Sequence, residues 1–550
     1  MKLVLRPYQE KVVEDTLAAF ETNQSALVVM ATGLGKTICA AHIADRYKNL
    51  GRILLIAHRQ ELLFQGQKHL ENITGGEAEL EMAENRASIT NMWGGADIVV
   101  STVQTQNSGN GNRMKRFNPS EFSLLIIDEA HHATADSYRA VIDHYSQNPD
   151  LRILGLTATP DRTDEEALGQ IFEAVPCEYD IANGISDGWL VPVVQQSITV
   201  EGLDYSGVSK SCGDLNSADL ERILVFEERL HEMTTPILDL CGEDTTLVFC
   251  ATVAQAERMA DILNRHKPES AQYVSAGTPK SVRNELFAAY DRGDYQYLCN
   301  VGITTEGYDC PRIRHIVMGR PTLSRSFYAQ CLGRGTRTLP GVVDGLDSVQ
   351  DRLAAIAASA KPDMSVLDFG GNAGRHKLVH PSDVLGGKYS DDIVQIANES
   401  AEKKRGPVDI TTELVQAERE WERRLQKQRE AKLAQGIKAK SIYKFDKVDP
   451  FDVFDITPCS ETKWHKGRLP SEKQLACLEK ANIPVPVGLT FTHASQLIDA
   501  MIKRSKADQC TFKQAKLVEK FGYDASEMGF KEASALIDKI AKNGWKRPRP

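Results

Sequence analysis

The segment ALVVMATGLGKT, residues 26–37, joins a continuous apolar run to a glycine-rich turn that ends in Lys36 and Thr37. An unbroken apolar run is typical of a strand that is buried on both faces, as in a parallel sheet covered by helices. The glycines of the turn, Gly33 and Gly35, allow backbone N–H groups to close around a phosphate. The segment therefore predicts a strand, a phosphate-binding turn and a helix whose positive N-terminal end points at the same anion.

Two side chains of the turn have candidate roles at that phosphate. Lys36 is expected to reach the β- and γ-phosphates of a nucleotide, and the hydroxyl group of Thr37 to ligate Mg²⁺. Met30 stands where the strict pattern G-x-x-x-x-G-K-[ST] has its first glycine. This departure makes the turn less specific by itself, and an ordinary glycine-rich strand-to-helix turn is the alternative interpretation.

Further apolar runs recur as far as about residue 370, and segments with helical patterns separate them. They form two series, the first comprising Ala26–Met30, Arg52–Ala57, Ile98–Thr102, Leu124–Asp128 and Ile153–Thr157, and the second Thr246–Cys250, Tyr297–Val301, His315–Met318 and Ser365–Phe369. Strands that alternate with helices indicate parallel sheets. We therefore expect an α/β fold with two lobes. Between them, Asp204–Asp219 is rich in Ser, Gly and Asp, which is typical of a connection or surface excursion.

The second signal is LLIIDEAH, residues 124–131, in which two acids follow an apolar run. Acids at the end of such a strand lie at the carboxyl edge of a parallel sheet, where ligands bind. Asp128 is expected to hold Mg²⁺, directly or through water, and Glu129 to orient and deprotonate an attacking water. His131 and His132 could also indicate zinc, but neighbouring side chains point apart and no cysteine lies near, so zinc ligation is the weaker interpretation.

The third signal is QCLGRGTR, residues 330–337, far along the chain from the other two. Arg334 and Arg337 are three residues apart and share one side of a helix. If they reach a γ-phosphate from the second lobe, they neutralise the charge that builds up in the transition state. An arginine pair at this spacing is more often a solvated helix face, so the catalytic interpretation depends on the two preceding motifs.

The three motifs and several shorter segments resemble, in the family's order over residues 6–337, the motifs of superfamily 2 helicases of the DEAH-box type. The shorter segments are RPYQ (6–9), IAHRQEL (56–62), STVQT (101–105), TATP (157–160), LVFC (247–250) and NVGITTEGYD (300–309). Within the superfamily the chain is similar to the RadD-like group, near the motors of type III restriction enzymes and including phage-encoded members. That similarity rests on residues 300–302, 307–311, 319–322 and 367–372, together with residues 375 and 376. The cysteine-rich zinc module that such proteins can carry has no counterpart in the cysteine spacing.

The resemblance implies two tandem RecA-like lobes with ATP and Mg²⁺ in the cleft between them. The residues that it assigns to ATP are Arg6, Gln9, Thr32, Gly33, Gly35, Lys36, Thr37, Gly307 and Asp309. Those that it assigns to catalysis are Lys36, Glu129, Gln330, Arg334 and Arg337, and those for the metal are Thr37 and Asp128. Nucleic-acid phosphates would meet Arg59, Thr102 and Thr304. Alternatively, Gln9 caps a helix, and these last three are an ordinary surface arginine and strand-end threonines.

The character of the sequence changes near residue 400. Before it we expect the first lobe at residues 1–195 and the second at 196–390, and after it a charged helical linker at 391–450 and a C-terminal region at 451–550. Glu413–Lys440 has charges on most faces and predicts one long exposed helix. The C-terminal region contains a repeat with an offset of 39 to 40 residues, in which SEKQL (471–475) resembles TFKQA (511–515) and ASQLID (494–499) resembles ASALID (533–538). Each copy predicts two short helices, so this end of the chain is mainly α-helical.

Composition and charge bound the remaining possibilities. Of 550 residues, 41% are hydrophobic and 26% are charged, which excludes a collagen, a coiled-coil rod or a wholly disordered chain. No run of about 18 apolar residues exists and none of the 11 cysteines forms a C-x-x-C pair, so we expect the cytoplasm of a bacterium or a phage-infected cell. The net charge is −9, but residues 401–550 hold 30 Lys and Arg against 21 Asp and Glu, a net of +9. A basic end on an acidic body indicates contact with a polyanion, and a solvated helical surface is the alternative.

These observations predict an ATP-driven helicase or translocase that moves on or remodels DNA in repair, recombination or replication. The DNA could be single-stranded, duplex or branched, and a protein partner could dock on the C-terminal region. Three alternatives stay open: a duplex translocase or protein remodeller that does not separate strands, an RNA helicase, and a nucleotide-gated nucleic-acid-binding scaffold. The complete catalytic set argues against the scaffold, because a scaffold does not need one.

Overall fold

The computed structural model describes residues 4–434 and 468–542, with gaps at residues 59, 91–94, 159–166, 212, 306–307, 374–375, 377, 388, 405, 482, 484, 486–487, 522 and 524–527. The chain divides into two compact units, Met1–Ala434 and Gln435–Pro550. The first unit contains two α/β lobes, and the second contains the repeats. Within the described part of the chain, no helix combines the length and the apolar character that a membrane span requires.

The first lobe is built around a seven-stranded sheet in which every pairing is parallel. Its strands are β1 (Ser25–Met30), β2 (Arg52–Ala57), β3 (Ala78–Glu81), β4 (Ile98–Thr102), β5 (Phe122–Ile127), β6 (Arg152–Thr157) and β7 (Ala174–Tyr179), in the order β3-β4-β2-β5-β6-β1-β7. Its helices are α1 (Pro7–Phe20), α2 (Lys36–Tyr47), α3 (Gln60–Thr74), α4 (Val103–Asn107), α5 (Asp136–Tyr145) and α6 (Ile181–Ser186). Every residue of β1, β2 and β5 is buried, because both faces of the sheet are covered.

The second lobe has its own seven-stranded sheet, parallel except for one short edge strand. Its strands are β8 (Val193–Asp204), β11 (Thr246–Phe249), β12 (Ala271–Val274), β13 (Tyr297–Asn300), β14 (His315–Met318), β15 (Met364–Asn372) and β16 (Val408–Asp409), in the order β12-β13-β11-β14-β15-β8-β16. A separate hairpin consists of β9 (Lys210–Ser211) and β10 (Asp214–Leu215). The helices are α7 (Ser217–Leu224), α8 (Glu227–Cys241), α9 (Val253–His266), α10 (Lys280–Arg292), α11 (Arg325–Gly335), α12 (Val349–Ala358), α13 (Pro381–Leu385), α14 (Asp391–Lys403) and α15 (Ile410–Ala434).

Neighbouring residues of the second sheet belong to different apolar clusters. Leu247 and Leu298 lie in a core that continues into the first lobe, whereas Val248 and Cys299 lie in the cluster on the other face. Successive side chains of a strand point to opposite faces, so a strand that fills two cores must be apolar throughout. The predicted fold class of two parallel-sheet α/β lobes followed by a mainly helical region is confirmed.

The continuous apolar runs in the sequence did not predict the outer strands of the sheets. β3 and β7 are mostly half-buried edge strands with polar residues, so they lack the pattern of a doubly covered strand. The stretch Asp204–Asp219, read as a connection or surface excursion, contains the β9–β10 hairpin. Asp214 anchors this hairpin, because its carboxylate accepts hydrogen bonds from Arg320 at 2.8 Å and Thr322 at 2.9 Å.

The charged helix α15 is not exposed along its whole length. Ile410, Leu414 and Ala417 are buried in the core of the first unit, and the carboxylate of buried Glu413 pairs with Lys404. These apolar residues follow one another at spacings of four and three, and they form a stripe that the surrounding charges conceal in the sequence. The prediction of a fully exposed helix over Glu413–Lys440 is therefore wrong for its first turns, and residues 435–440 lie outside the described residues.

The second unit contains two copies of a helix–loop–helix module around one apolar core. The described helices are α16 (Glu472–Lys480), α17 (Phe491–Lys506), α18 (Phe512–Lys520) and α19 (Phe530–Lys542). In the first copy Gln474 Nε2 donates to Ser495 Oγ at 2.8 Å, and in the second copy Gln514 Nε2 donates to Ser534 Oγ at 2.8 Å. The sequence repeat thus preserves the residues that join the two helices of each module.

The contacts of a partly buried histidine in the second lobe predict that the stability of the fold depends on pH. His380 Nδ1 lies 2.9 Å from Asp368 Oδ2, and its Nε2 lies 4.0 Å from Glu402. Burial by itself would lower the pKa of His380, but the hydrogen bond and charge of Asp368 outweigh burial and raise this pKa to about 9. A folded-state pKa above the unfolded value means that the stabilisation is complete below about pH 6.5 and is lost as the pH rises through 9.

We therefore expect the protein to lose up to about 3 kcal/mol of folding free energy between pH 6.5 and 9.5 through this one group. His380→Gln should make the thermal-unfolding midpoint less dependent on pH over that range, as measured by circular dichroism. His266→Gln, at the exposed end of α9, is the matched control. An equally steep pH dependence in His380→Gln would assign the effect to other groups.

Candidate nucleotide site between the two lobes

Two left-handed glycines shape the turn between β1 and α2. Gly33 has φ +89° and Gly35 has φ +85°, a region that residues with a Cβ atom rarely adopt. Gly35 is the N-cap of α2, and Lys36 is the first residue of that helix. A Cβ atom on Gly35 would lie 2.5 Å from Gln9 Nε2, so a side chain there would displace the Gln9 amide from the turn. The turn therefore offers a close backbone approach and the N-terminal end of a helix to an anion.

The start of α1 fixes this turn. Tyr8 Oη and Gln9 Nε2 each donate to the carbonyl oxygen of Leu34 at 2.9 Å. Gln9 Oε1 accepts from the backbone N–H of Arg6 at 2.9 Å, within a capping box at the start of the helix. In this structure Gln9 therefore caps α1, as the alternative interpretation has it, and at the same time holds the turn in place.

β5 leads into the two acids, and both are buried. Asp128 Oδ1 accepts from the backbone N–H of Glu129 at 3.0 Å, and Glu129 has a left-handed φ of +50°. One carboxylate oxygen of Glu129 lies 3.3 Å from His131 Nδ1. Burial alone would raise the pKa of Glu129, but the hydrogen bond from His131 and the charge of Lys36 outweigh burial and lower this pKa to about 2. The Glu129 side chain is thus an oriented, ionised carboxylate.

Lys36 lies among charges from both lobes. Burial lowers the pKa of Lys36, the carboxylates of Glu129 and Asp128 oppose this effect, and the guanidinium groups of Arg334 and Arg337 add to it. Charges influence one another in this way only when they are close in space. The lysine, the two acids and the two arginines that the sequence singled out therefore form a single cluster.

The end of α11 and the segment after it lie against the glycine turn. The helix ends at Gly335, and Arg337 forms an isolated β-bridge with Leu190, so the prediction that Arg334 and Arg337 share one side of a helix is wrong. A Cβ atom on Gly33 would lie 3.1 Å from Arg337 Cγ and 3.2 Å from Arg337 Nε. A Cβ atom on Gly333 would lie 2.6 Å from Thr32 Cβ, so the helix and the turn touch. Arg337 also forms an ion pair with exposed Asp309. The second lobe thus supplies a cation that lies directly on the turn of the first lobe.

Arg334 is more deeply buried than Arg337. Its guanidinium group donates to the backbone carbonyl oxygens of Thr305 and Tyr308. Its Nε has no hydrogen-bond partner within the described part of the chain. Burial, and next the charge of Arg337, lower the pKa of Arg334 to about 10, while Glu129 opposes the shift. A buried cation with an unused donor is well suited to an incoming anion.

A cavity of about 140 Å³ opens beside the turn, and residues of both lobes line it. The guanidinium group of Arg6 lies 4.7 Å from the ring centre of Trp189 and pairs with Asp344 at 3.0 Å. Gly33 and Arg337 form the side of the cavity nearest the phosphate turn. The Trp189 ring is buried beneath this guanidinium group, so the groups that can stack on or hydrogen-bond to a nucleobase here are the planar cation of Arg6 and the carboxylate of Asp344.

Oxygen ligands for Mg²⁺ lie at the same place. In nucleotide sites Mg²⁺ takes one or two protein oxygens and completes its shell with phosphate oxygens and water. The carboxylate of Asp128 is close enough to Lys36 to influence its pKa, and Thr37 is the second residue of α2, next to the turn. The residues present therefore fit Mg²⁺. No cluster of three or more His, Cys, Asp or Glu suited to a metal occurs among the residues described.

The predicted nucleic-acid contacts are not brought together in the same way. Thr102 is buried and acts as the N-cap of α4, because its hydroxyl accepts from the backbone N–H of Thr105 at 3.1 Å. Thr304 is completely buried. Both hydroxyls are buried in this arrangement, so contact of these side chains with a nucleic-acid strand stays a prediction. Arg59 and Gly307 lie outside the described residues.

Sequence reasoning missed two residues that hold parts of the site. Trp189 is covered by Arg352, whose guanidinium carbon lies 3.9 Å from the ring centre. Lys361 is buried and donates to the backbone carbonyl oxygen of Arg337 at 2.8 Å, and burial lowers its pKa to about 7. The predicted Gln330 is buried in α11. An isolated tryptophan or lysine belongs to no sequence motif. Tryptophan is scarce, with five in the chain, and only this scarcity could have drawn attention to Trp189.

Comparison with known families agrees with this geometry. Residues 2–162 match the family described as "Type III restriction enzyme, res subunit", and residues 230–338 match "Helicase conserved C-terminal domain". Three relatives are each 28% identical. IRC3 of Saccharomyces cerevisiae, by name a candidate ATP-dependent helicase, aligns over 61% of this chain and 49% of its own length. The protein irc3 of Schizosaccharomyces pombe, by name a candidate mitochondrial ATP-dependent helicase, aligns over 74% and 63%.

The third relative is the endonuclease subunit of the type I restriction enzyme EcoAI of Escherichia coli, which aligns over 60% of this chain and 44% of its own length. The chain thus spans between 44% and 63% of the length of these three relatives. Two parallel-sheet lobes with a phosphate-binding turn in one and facing arginines in the other define the class of two-lobed RecA-like proteins. Together with the two family matches and these relatives, this geometry supports a superfamily 2 helicase of the restriction-motor-like type.

Proposed function

We propose that the protein is an ATP-dependent helicase or translocase that hydrolyses ATP between its two lobes in order to move on or remodel DNA. The observation that carries this proposal is the contact of Arg337 with Gly33 across the cleft. A hydrolase benefits from a cation at that point, because negative charge on the transferred phosphoryl group is redistributed in the transition state. A protein that only binds a nucleotide would not need a cation from a second lobe at this point.

Bound ATP would use both lobes. Its phosphates would lie on the glycine turn against Lys36 and the N-terminal end of α2, and its base would enter the cavity beside Arg6 and Asp344. Mg²⁺, held by Asp128 and Thr37, would neutralise part of the phosphate charge when bound. These assignments follow from the chemistry of the groups that surround the turn.

Hydrolysis would then depend on three side chains. Glu129 would orient the attacking water through its ionised carboxylate. Arg334, with its unused Nε, and Arg337 would stabilise the charge of the transition state from the second lobe. Loss of the γ-phosphate would remove the anion that draws the lobes together, and the cleft would open.

A nucleic-acid strand would lie across the carboxyl edges of the sheets. At the first sheet this edge exposes His58 after β2 and Gln104 in α4, beside the two segments that resemble strand-contacting motifs. Contacts with phosphates carry no base identity, so binding should tolerate any sequence and weaken with salt. The kinship with restriction-enzyme motors favours DNA over RNA.

The test is the rate of ATP hydrolysis without polymer and with single-stranded DNA, duplex DNA, forked DNA and RNA at matched salt. We expect DNA to raise kcat above the rate without polymer and above the rate with RNA. Greater stimulation by RNA would make the protein an RNA helicase, and no stimulation by any polymer would refute the motor. A strand-displacement assay beside a protein-eviction assay then separates a helicase from a translocase.

The second unit should contribute to DNA affinity. Residues 435–550 hold 21 Lys and Arg against 14 Asp and Glu, a net of +7. Since cations displace counterions from DNA, their removal weakens binding and flattens its salt dependence. We expect a protein that ends at Ala434 to keep its polymer-free kcat and to bind labelled DNA more weakly by fluorescence anisotropy at several salt concentrations. Unchanged affinity and salt slope would make this unit a protein-docking element.

A further inference from the structure

Four aromatic and polar side chains form a continuous row from the surface of the first lobe to Glu129. Gln104 Nε2 lies 3.2 Å from His58 Nδ1. The rings of His58 and His132 have centroids 5.2 Å apart, and those of His132 and His131 are 4.1 Å apart. The last imidazole reaches the carboxylate of Glu129 at 3.3 Å. We call the row Gln104–His58–His132–His131 the histidine chain.

The histidine chain follows the carboxyl edge of the sheet. Its members come from the ends of β4, β2 and β5, which are neighbours in the sheet. The next strand, β6, ends at Thr157, and the hydroxyl of Thr157 lies 3.4 Å from His131 Nδ1. Four adjacent strands therefore contribute to one row of contacts, although the residues lie far apart in the sequence.

The solvent exposure of the side chains falls steadily along the histidine chain towards Glu129. Gln104 and His58 are exposed, His132 is half-buried, and the side chains of His131 and Glu129 are 11% and 8% exposed. One end can therefore meet a large ligand, while the other end touches only the nucleotide site. With the Gln104 amide donating to Nδ1, the neutral ring of His58 carries its proton on Nε2, which is a donor for an anionic oxygen.

At the inner end of the histidine chain, Glu129 has an unfavourable backbone conformation. Glu129 has a φ of +50°, which is uncommon for a residue with a side chain. Such a conformation persists only when surrounding contacts enforce it. His131 is one of these contacts, because it pairs with the Glu129 carboxylate and also meets Thr157. A displacement of the imidazole stack would consequently alter the direction of the carboxylate.

We propose that the histidine chain couples a polynucleotide phosphate at the exposed Gln104–His58 end to the orientation of Glu129, with His132 as the positioning residue. The inference rests on the proposed function, since it names how the nucleic acid would regulate hydrolysis at that site. A phosphate that engages His58 shifts its ring, the packed rings of His132 and His131 follow, and the carboxylate adopts the direction that holds water for attack. Contiguous packed side chains can carry energetic coupling between two sites, and the row consists of such contacts.

The experiment compares wild-type protein with His132→Ala. We measure kcat for ATP with and without saturating oligothymidylate, and the affinity for fluorescein-labelled oligothymidylate by anisotropy. We expect the ratio of stimulated to unstimulated kcat to fall by at least about tenfold, while the affinity changes by less than about twofold. A merely structural loss would lower affinity, both rates and the unfolding midpoint together.

Two further variants keep the proposal testable if His132→Ala is unstable. His132→Phe keeps a flat ring between its neighbours and should restore most of the stimulation, because the link acts through packing. His58→Ala changes an exposed side chain and should reduce the stimulation ratio as His132→Ala does. In the double variant the two losses should not add, since both interrupt the same row.

His144→Ala is the matched control, because this first-lobe histidine packs on Tyr145, 4.9 Å between ring centroids, in α5 and belongs to no part of the row. A wild-type stimulation ratio in both His132→Ala and His58→Ala would overturn the histidine chain alone. Absence of stimulation in the wild-type protein would instead refute the proposed function. The two failures are therefore distinguishable in one set of measurements.

Discussion

Replacing Lys36 with Ala is expected to lower kcat for ATP hydrolysis by at least about 100-fold, with or without DNA. Lys36 is the first residue of α2 and lies within the electrostatic reach of Glu129, Asp128, Arg334 and Arg337. Its removal leaves the β- and γ-phosphates without a cation of the first lobe, and no other lysine of the described site is placed to substitute. The rate of phosphate release at saturating ATP measures the effect.

Lys48→Ala is the matched control for this prediction. Lys48 is the C-cap of the same helix, and its ammonium group contacts Asp45 at 2.6 Å, at the end opposite the turn. The control removes the same charge from the same helix, so it should leave kcat unchanged. ATP should also raise the unfolding midpoint of the control but raise that of Lys36→Ala much less. A fully active Lys36→Ala protein would end the nucleotide-site interpretation.

Replacing Glu129 with Gln is expected to separate ATP binding from hydrolysis. The amide has almost the same size, but it cannot offer the ionised carboxylate that the site maintains by holding the pKa of Glu129 at about 2. Loss of a group that positions or deprotonates water typically costs about 100- to 10,000-fold in rate. We expect kcat to fall within that range, while ATP remains bound and detectable by filter binding.

The control for Glu129→Gln lies at the other end of the same strand. Glu121 immediately precedes β5, is partly exposed and faces Arg52 at 3.8 Å. Glu121→Gln makes the same chemical change at the amino edge of the sheet, far from the turn, and should keep the wild-type kcat. Rapid hydrolysis by Glu129→Gln would show that another group prepares the water, and the histidine chain would then have no catalytic carboxylate to position.

The structure departs from the sequence-based predictions where the contacts of a residue differ from those that its sequence motif suggests. The pattern around Thr102 predicts contact with a nucleic-acid strand, whereas in the structure the hydroxyl of Thr102 accepts a hydrogen bond from the backbone of α4. The charges of α15 predict exposure, but Leu414 and Ala417 are buried against the core. A motif records which residues occur together, and it does not record which hydrogen bond a hydroxyl makes or how wide an apolar stripe must be to bury a helix.

The sequence by itself determined the α/β class, the position of the central strands and the glycine turn between β1 and α2. These features depend on residues that are neighbours along the chain: unbroken apolar runs, glycines that permit a positive φ, and acids that follow a strand. Gly33 and Gly35 could be assigned to a turn because their backbone conformations, φ +89° and +85°, are accessible chiefly to glycine.

Only the tertiary structure decided which distant side chains meet. The contact of Arg337 with Gly33 requires two lobes to close on one cleft, and the histidine chain requires β4, β2, β5 and β6 to be adjacent in the sheet. Strand order and lobe packing arise from the burial of apolar surface summed over the whole unit. No single segment encodes them, because the hydrophobic effect that drives this burial is not directional and acts on total area.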